Sequence, residues 1–272
     1  MRTTVRECVL TVLAICALLV GGCKERTQGG TPVVAEVQAS ASGATPAVSE
    51  ANASPEVPAS HDPEHPPIDC PLRKQGLDPT HMRPFEDVEK YIAFLERPDR
   101  AVWQKPDAVV ASFGLEGTET VVDLGAGSGY FSFRFARALP KGKVIAADTE
   151  AEMIRHIHHR AMTEGIDNIE ARLVDAADPS VPSDADLVFV CDVLHHVHDR
   201  AGWLGKLTAQ MREGARLALI EFKAGELPEG PPDTMKIPRA ELVKLVTGAG
   251  LALESEPKDL LPYQVFLVFS KP

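Results

Sequence analysis

VVDLGAGSGYF, residues 121 to 131, decides the fold. A β-branched apolar run stops just past an aspartate, glycines follow at alternate positions (Gly125, Gly127 and Gly129), and aromatic residues resume at once. Residues without a β-carbon let the backbone reverse tightly and let a ligand come close, so the stretch is predicted to be a turn from a strand into a helix. The glycines alone are a weak signal. A dinucleotide-binding turn prefers Gly or Ala at its sixth position, where the helix packs closely, and that position here is Tyr130. A nicotinamide-dependent dehydrogenase, which would also want a second domain, is therefore disfavoured.

Working outward, TVVDL, KVIAAD, IEARLVD, ADLVFVC and ARLALIEF read as five short buried strands, separated by helical stretches over 131–139, 151–164 and 203–211. Strands that alternate with helices imply a parallel sheet. After a further helix over 239–247, LALESE and QVFLVFS have only a short connection through Pro257 and Pro262, so they should pair antiparallel. The class is α/β.

Two acids fall where such a sheet binds ligands. Asp148 ends the second strand, 23 positions after Gly125, where a carboxylate accepts both hydroxyls of a ribose. Its other reading is a cap for the next helix, but Thr149 with Glu152 already spells a capping box. Asp175 ends the third strand in the same way. Asp178 before Pro179 reads as a separate N-cap, which leaves Asp175 available to a cofactor base.

Together these residues resemble the class I S-adenosylmethionine-dependent methyltransferases. VVDLGAGSGYF is similar to their first motif, AAD ending at Asp148 to their ribose-binding acid, LVDAAD to their adenine-contacting segment, and ADLVFVCDVLHHV to the strand and loop beside the transferred methyl. The resemblance covers about residues 101–272. It implies a Rossmann-like seven-stranded sheet of order 3-2-1-4-5-7-6 with helices on both faces, and S-adenosyl-L-methionine as cofactor. It further implies that Asp123, Gly125, Ala126, Gly127 and Gly129 line the methionine portion, Asp148 the ribose, and Asp175 with Ala176 the adenine, with Asp192 beside them. The acceptor is expected to be a small molecule that these motifs do not specify.

A sulfonium is already an activated methyl donor, so alignment supplies much of the acceleration and a base matters only if the acceptor must lose a proton. Candidates lie in the loop after the fourth strand. His195 or His196 is either a base or orienting group, or a satisfied polar residue at a helix start. Glu221, at the end of the fifth strand, and Asp192 either bind the acceptor or simply cap and pair. The proline-rich segment 224–238 is a candidate lid, and Tyr263 either closes the pocket or fills the core. Two histidine clusters, His156, His158 and His159, then His195, His196 and His198, invite a metal. No cysteine pair joins them and His158 points away from its neighbours on a helix, so no metal is expected.

Upstream the character differs. Arg2 and Arg6 precede about thirteen nearly uninterrupted apolar residues, too few for a spanning helix, which needs about twenty. This matches a secretory signal over residues 1–22, and VGGC ending at Cys23 resembles the lipobox of bacterial lipoproteins, which implies lipidation of Cys23. An uncleaved anchor is the alternative. Residues 23–70 are rich in Ala, Ser and Pro with no aromatic residue, and read as a disordered tether with a span on the order of 40 Å in which His61 and His65 are solvated. Residues 71–114 read as a helical cap, with Phe85, Val88, Ile92 and Leu95 on one helix and Val102, Val109, Val110 and Phe113 on a second, punctuated by Pro98 and Pro106; Trp103 is a packing anchor. Residues 115–272 form the cofactor-binding domain.

The formal charge of -11 gives nucleic acid no general attraction, so no nucleic-acid partner is expected. Of five cysteines only Cys70 and Cys191 fall outside the leader, which builds no disulfide framework; that pair is either bridged or free. The expected location is the bacterial cell envelope, membrane-held through the lipid and facing the periplasm, or the cytoplasmic side if the signal is not processed. An exported enzyme would lack an obvious supply of a cytoplasmic cofactor, so the competing expectation is a non-enzymatic envelope binding module on the same fold.

Overall fold

The computed structural model describes residues 71–77 and 86–272, all within the compact unit Pro55–Pro272. The expectations for the signal, Cys23, the tether with His61 and His65, Cys70 and Phe85 lie outside the described residues.

The seven predicted strands all form: β1 Thr120–Leu124, β2 Lys143–Asp148, β3 Ile169–Leu173, β4 Leu187–Cys191, β5 Arg216–Phe222, β6 Ala252–Ser255 and β7 Gln264–Ser270. They make one sheet in the order β3-β2-β1-β4-β5-β7-β6, with β1 to β5 parallel and β7 antiparallel to both its neighbours. The period-two alternation of side chains explains why both faces are apolar. Val122, Val188, Val190, Leu217, Leu219 and Leu267 face one core with the helices Arg200–Gln210 and Arg239–Gly248. Val121, Leu187, Phe189, Ala218, Ile220 and Phe266 face the other, with the helices Pro106–Ala111 and Ser132–Ala138.

Three local expectations are corrected. β3 ends at Leu173, so Asp175 belongs to the following loop. No helix follows Asp178: its Oδ1 accepts from the Ser180 amide (3.0 Å) and Gln210 Nε2 (2.8 Å), which ties a turn to the helix Arg200–Gln210. The second cap helix is two, Arg100–Gln104 and Pro106–Ala111. Pro106 has no N–H to continue the first, and Lys105 between them sits at φ 44°.

One contact had no counterpart in the sequence reading. Leu72, from the short helix Pro71–Lys74, is fully buried in a cluster with Ile154, Ile157 and Ala171. Beside it Gln75 Nε2 donates to the Ala171 carbonyl and Gln75 Oε1 accepts the Leu173 amide, both at 2.9 Å. That one amide side chain supplies the pairing a neighbouring strand would give, and so blunts the open edge of β3. Among the described residues no helix is long and apolar enough to cross a membrane.

Candidate active site

Because β1 to β5 run parallel, their carboxyl ends open on one edge, and the loops leaving them converge there. The turn after β1 holds Gly125, Gly127 and Gly129 at φ 72°, 55° and 80°, in the left-handed region. A β-carbon on Gly125 would lie 2.3 Å from Val193 Cγ2, so its absence lets the loop after β4 press against the turn. The Gly125 and Ala126 amides both donate to the Ala147 carbonyl, at 2.8 and 3.0 Å, and pin the turn to the end of β2. Leu95 of the cap lies over Gly127, where a β-carbon would come within 3.2 Å.

Asp148 stands beside this turn, 9% exposed, but it is not idle. Its Oδ2 accepts the Gly127 amide at 2.8 Å and its Oδ1 the Glu150 amide at 2.9 Å. The expected Thr149–Glu152 capping box does not form. Glu150 is the N-cap residue and makes no side-chain cap bond, while Glu152 pairs with Arg155 at 2.9 Å. Each carboxylate oxygen retains a further lone pair, so the backbone bonds orient Asp148 and leave acceptor capacity for a diol. Burial raises its pKa above the usual carboxylate value.

Asp123 is buried against Ser132, whose hydroxyl donates to Oδ2 at 2.5 Å. Burial pushes its carboxyl up to about 7, and the charge of Asp148 adds to the shift. Asp175 and Ala176 are exposed on the loop beyond β3, where Asp175 Oδ1 accepts the Ala177 amide at 2.7 Å.

The loop after β4 carries the rest. Glu221, 1% exposed at the end of β5, accepts the Leu194 amide at 2.6 Å through Oε1, and its Oε2 lies 2.7 Å from His195 Nδ1. Burial alone would lower the pKa of His195. The hydrogen bond and charge of Glu221, helped by Asp192, outweigh it and raise the value above 6.5. His196 stacks on His195 with centroids 4.1 Å apart but is exposed, as is His198. Asp192, at φ 58°, accepts from Gln104 and Gln264, and its carboxyl is pushed up to about 6 by burial and by the charge of Glu221. Of the residues the sequence reading assigned to the site, Asp123 lies near Asp148, and Asp192, His195 and Glu221 lie together at the loop after β4, while Asp175 and Ala176 are exposed on the loop beyond β3.

It missed the cap's contribution. Arg100 reaches over the Tyr130 ring at 4.2 Å, with Arg134 at 4.2 Å as well, and donates to the Leu95 carbonyl and to Gln104. Trp103 stacks on Phe222 and Tyr263 at 5.7 and 6.0 Å, so Tyr263 closes against the cap. The segment 224–238 is bound to the cap by an Arg97–Glu229 ion pair. The one signal available was the repeated aromatic-glutamine dipeptide at 103–104 and 263–264. His156 and His159 lie on the helix Ala151–Thr163, and among the described residues no group of three His, Cys, Asp or Glu converges as a metal site would need.

A mixed sheet in this order, with a glycine turn pinned to an acid at the end of the next strand, defines a Rossmann-like class I methyltransferase. The family model described as a methyltransferase domain matches residues 115–254, and the chain belongs to that family. A methyltransferase of Mycobacterium bovis, itself uncharacterised, is 31% identical over 124 residues, which are 46% of this chain and 61% of that protein. Trans-aconitate 2-methyltransferase of Azoarcus sp. is 27% identical over 136 residues, half of each chain. The chain thus spans between half and 61% of the length of these relatives. Among solved structures, a SAM-dependent methyltransferase from Aquifex aeolicus superimposes with a TM-score of 0.63 at 25% identity, covering 69% of this chain and all of that one. The cofactor of this fold is S-adenosyl-L-methionine, and the orientation of Asp148 beside the glycine turn fits it.

Proposed function

We propose that the protein methylates a small molecule at a hydroxyl or amine that His195 deprotonates. Bound S-adenosylmethionine supplies a methyl whose carbon–sulfur bond breaks, with its electron pair left on sulfur, as the acceptor's lone pair takes the carbon. The chain's own residues do the rest. Asp148 receives the ribose hydroxyls, Asp123 and the residues from Gly125 to Gly129 hold the methionine portion, and Asp175 with Ala176 border the adenine. Glu221 accepts a hydrogen bond from the Nδ1–H of His195, which fixes the tautomer and leaves Nε2 as the base that takes the acceptor's proton. His196, exposed beside it, packs against the base.

The observation that carries this reading is the buried 2.7 Å His195–Glu221 pair at the edge where the glycine turn lies. Glu221 also accepts the Leu194 amide and so shapes the loop, and no observation favours the non-enzymatic alternative. The experiment supplies methyl-labelled cofactor and a bacterial small-molecule extract and measures label in the low-mass fraction. His195→Ala should lower transfer by about 10²–10⁴-fold while affinity for S-adenosylhomocysteine is unchanged. Transfer at the wild-type rate would remove His195 from the reaction.

The location is proposed from the sequence of residues 1–23. Cys23 is lipidated and holds the domain at a bacterial membrane, on the periplasmic side if the leader is processed. Labelling cells with a palmitate analogue should give a signal that Cys23→Ala abolishes, and a signal that survives the substitution would sink the proposal.

A further inference from the structure

Two aromatic-glutamine pairs from distant parts of the chain meet at the loop after β4. Trp103-Gln104 comes from the cap and Tyr263-Gln264 from the entry to β7. The two rings lie 6.0 Å apart, tilted by 41°, with Phe222 against Trp103. The two amides converge on one carboxylate: Gln104 Nε2 donates to Asp192 Oδ2 at 3.1 Å, and Gln264 Nε2 reaches both Asp192 oxygens at 2.8 Å. A cap helix and the last strand are thereby clamped on the loop that carries His195.

Two polar atoms of this clamp have no partner, the Trp103 Nε1 donor and the Gln264 Oε1 acceptor, on residues 9% and 2% exposed. A buried donor and acceptor left unmade are a penalty that a ligand with complementary groups relieves. Charge narrows the ligand further. Asp192 and the Glu221 carboxylate share this edge, the nearby Arg100 is already engaged with the Tyr130 ring, Gln104 and the Leu95 carbonyl, and Arg97, 6.0 Å from the Trp103 ring, is paired with Asp99 and Glu229. A carboxylate entering here would meet fixed negative charge in a poorly solvated place, whereas a flat neutral or cationic ring would lie against Trp103 and Tyr263 and be stabilised.

Building on the methyltransferase reading, we infer that the Trp103-Gln104 and Tyr263-Gln264 clamp on Asp192 is the acceptor-binding site. It selects a planar, uncharged or cationic molecule with a hydrogen-bond donor beside an acceptor, of the class of hydroxylated or amino-substituted aromatic rings, and rejects polycarboxylates. In this the chain departs from the relative that acts on trans-aconitate.

The sequence has two tryptophans, so the full chain labelled with 15N gives two indole N–H resonances, and Trp103→Phe assigns them. With S-adenosylhomocysteine bound, catechol and tyramine should move the Trp103 resonance saturably while trans-aconitate leaves it in place. Gln264→Ala should weaken the catechol response at least tenfold without loss of S-adenosylhomocysteine binding by calorimetry. Trp103→Phe, which keeps an aromatic ring against Phe222 and Tyr263, should weaken catechol binding severalfold by calorimetry while S-adenosylhomocysteine binding is unchanged. If trans-aconitate moves the resonance, or no probe does while S-adenosylhomocysteine binds, the acceptor assignment is overturned and the methyltransferase reading stands. Absence of S-adenosylhomocysteine binding overturns that reading and this one with it.

Discussion

At Asp123 burial moves the pKa of a carboxylate that is proposed to face the cofactor into the neutral range. Its folded value of about 7 lies above its ordinary 3.8, so the folded free protein binds an extra proton between these values. This group therefore lowers stability as pH rises from about 4 to 7, and the penalty of the buried anion is fully present above that window. A cationic ligand favours the ionised form. Affinity for S-adenosylmethionine should accordingly rise with pH through about 7 and then level off, and titrations between pH 5.5 and 8.5 should show that rise flattened in Asp123→Asn. His195 gives a second test in the opposite charge sense. As a base it works neutral, so kcat/KM should climb with pH through a value above 6.5, and Glu221→Gln, which removes the charge that raises it, should move that limb to lower pH. A limb unmoved by Glu221→Gln would separate the pair from the reaction.

At this scale the sequence named the acids and histidines but not their partners. Asp148 was legible from its place at a strand end, whereas its two backbone bonds depend on how the glycine turn folds back, which no spacing encodes. The Thr149–Glu152 box does not form because the helix starts one residue later than that spacing requires, with Glu150 at its N-cap, and Glu152 pairs with Arg155 instead. Gln104 and Gln264 are 160 positions apart, and only the closed sheet brings their amides to one carboxylate.

Among the elements, the glycine turn is the most constrained. Gly125→Ala meets both a positive φ and Val193, and should destabilise by about 1–3 kcal/mol while also disturbing the loop that carries His195; thermal melts and cofactor affinity should fall together. The strand edge offers a separate test. Leu72→Ala should cost about 2–5 kcal/mol by opening a cavity beneath β3, measured by denaturant unfolding, although Leu72 lies far outside the matched family domain. An effect below about 0.5 kcal/mol would mean the segment 71–77 does not dock. The elements themselves were largely readable, since buried parallel strands are continuous apolar runs and their helices carry a clear 3.6-residue period. What was not readable was where polar loops begin. LVD continues the pattern of β3 chemically, yet Val174 and Asp175 lie beyond the strand's end at Leu173.

For the molecule as a whole, the strand order is an outcome of right-handed crossovers plus one antiparallel return, so a correct list of strands left few arrangements to choose among. The cap is different. Its helix Pro106–Ala111 packs on the sheet through Val109 and Val110, but the stretch before it is held by Leu95 over the glycine turn, Arg97 on Glu229 and Trp103 on Phe222, side-chain contacts that sequence periodicity does not report. The measurement that bears most directly on the central claim is calorimetric titration of S-adenosylmethionine and S-adenosylhomocysteine into the full chain and into Asp148→Ala. Both should bind one-to-one with micromolar affinity, weakened at least tenfold by the substitution. A folded wild-type protein that binds neither, or a variant that binds as well as wild type, would contradict it.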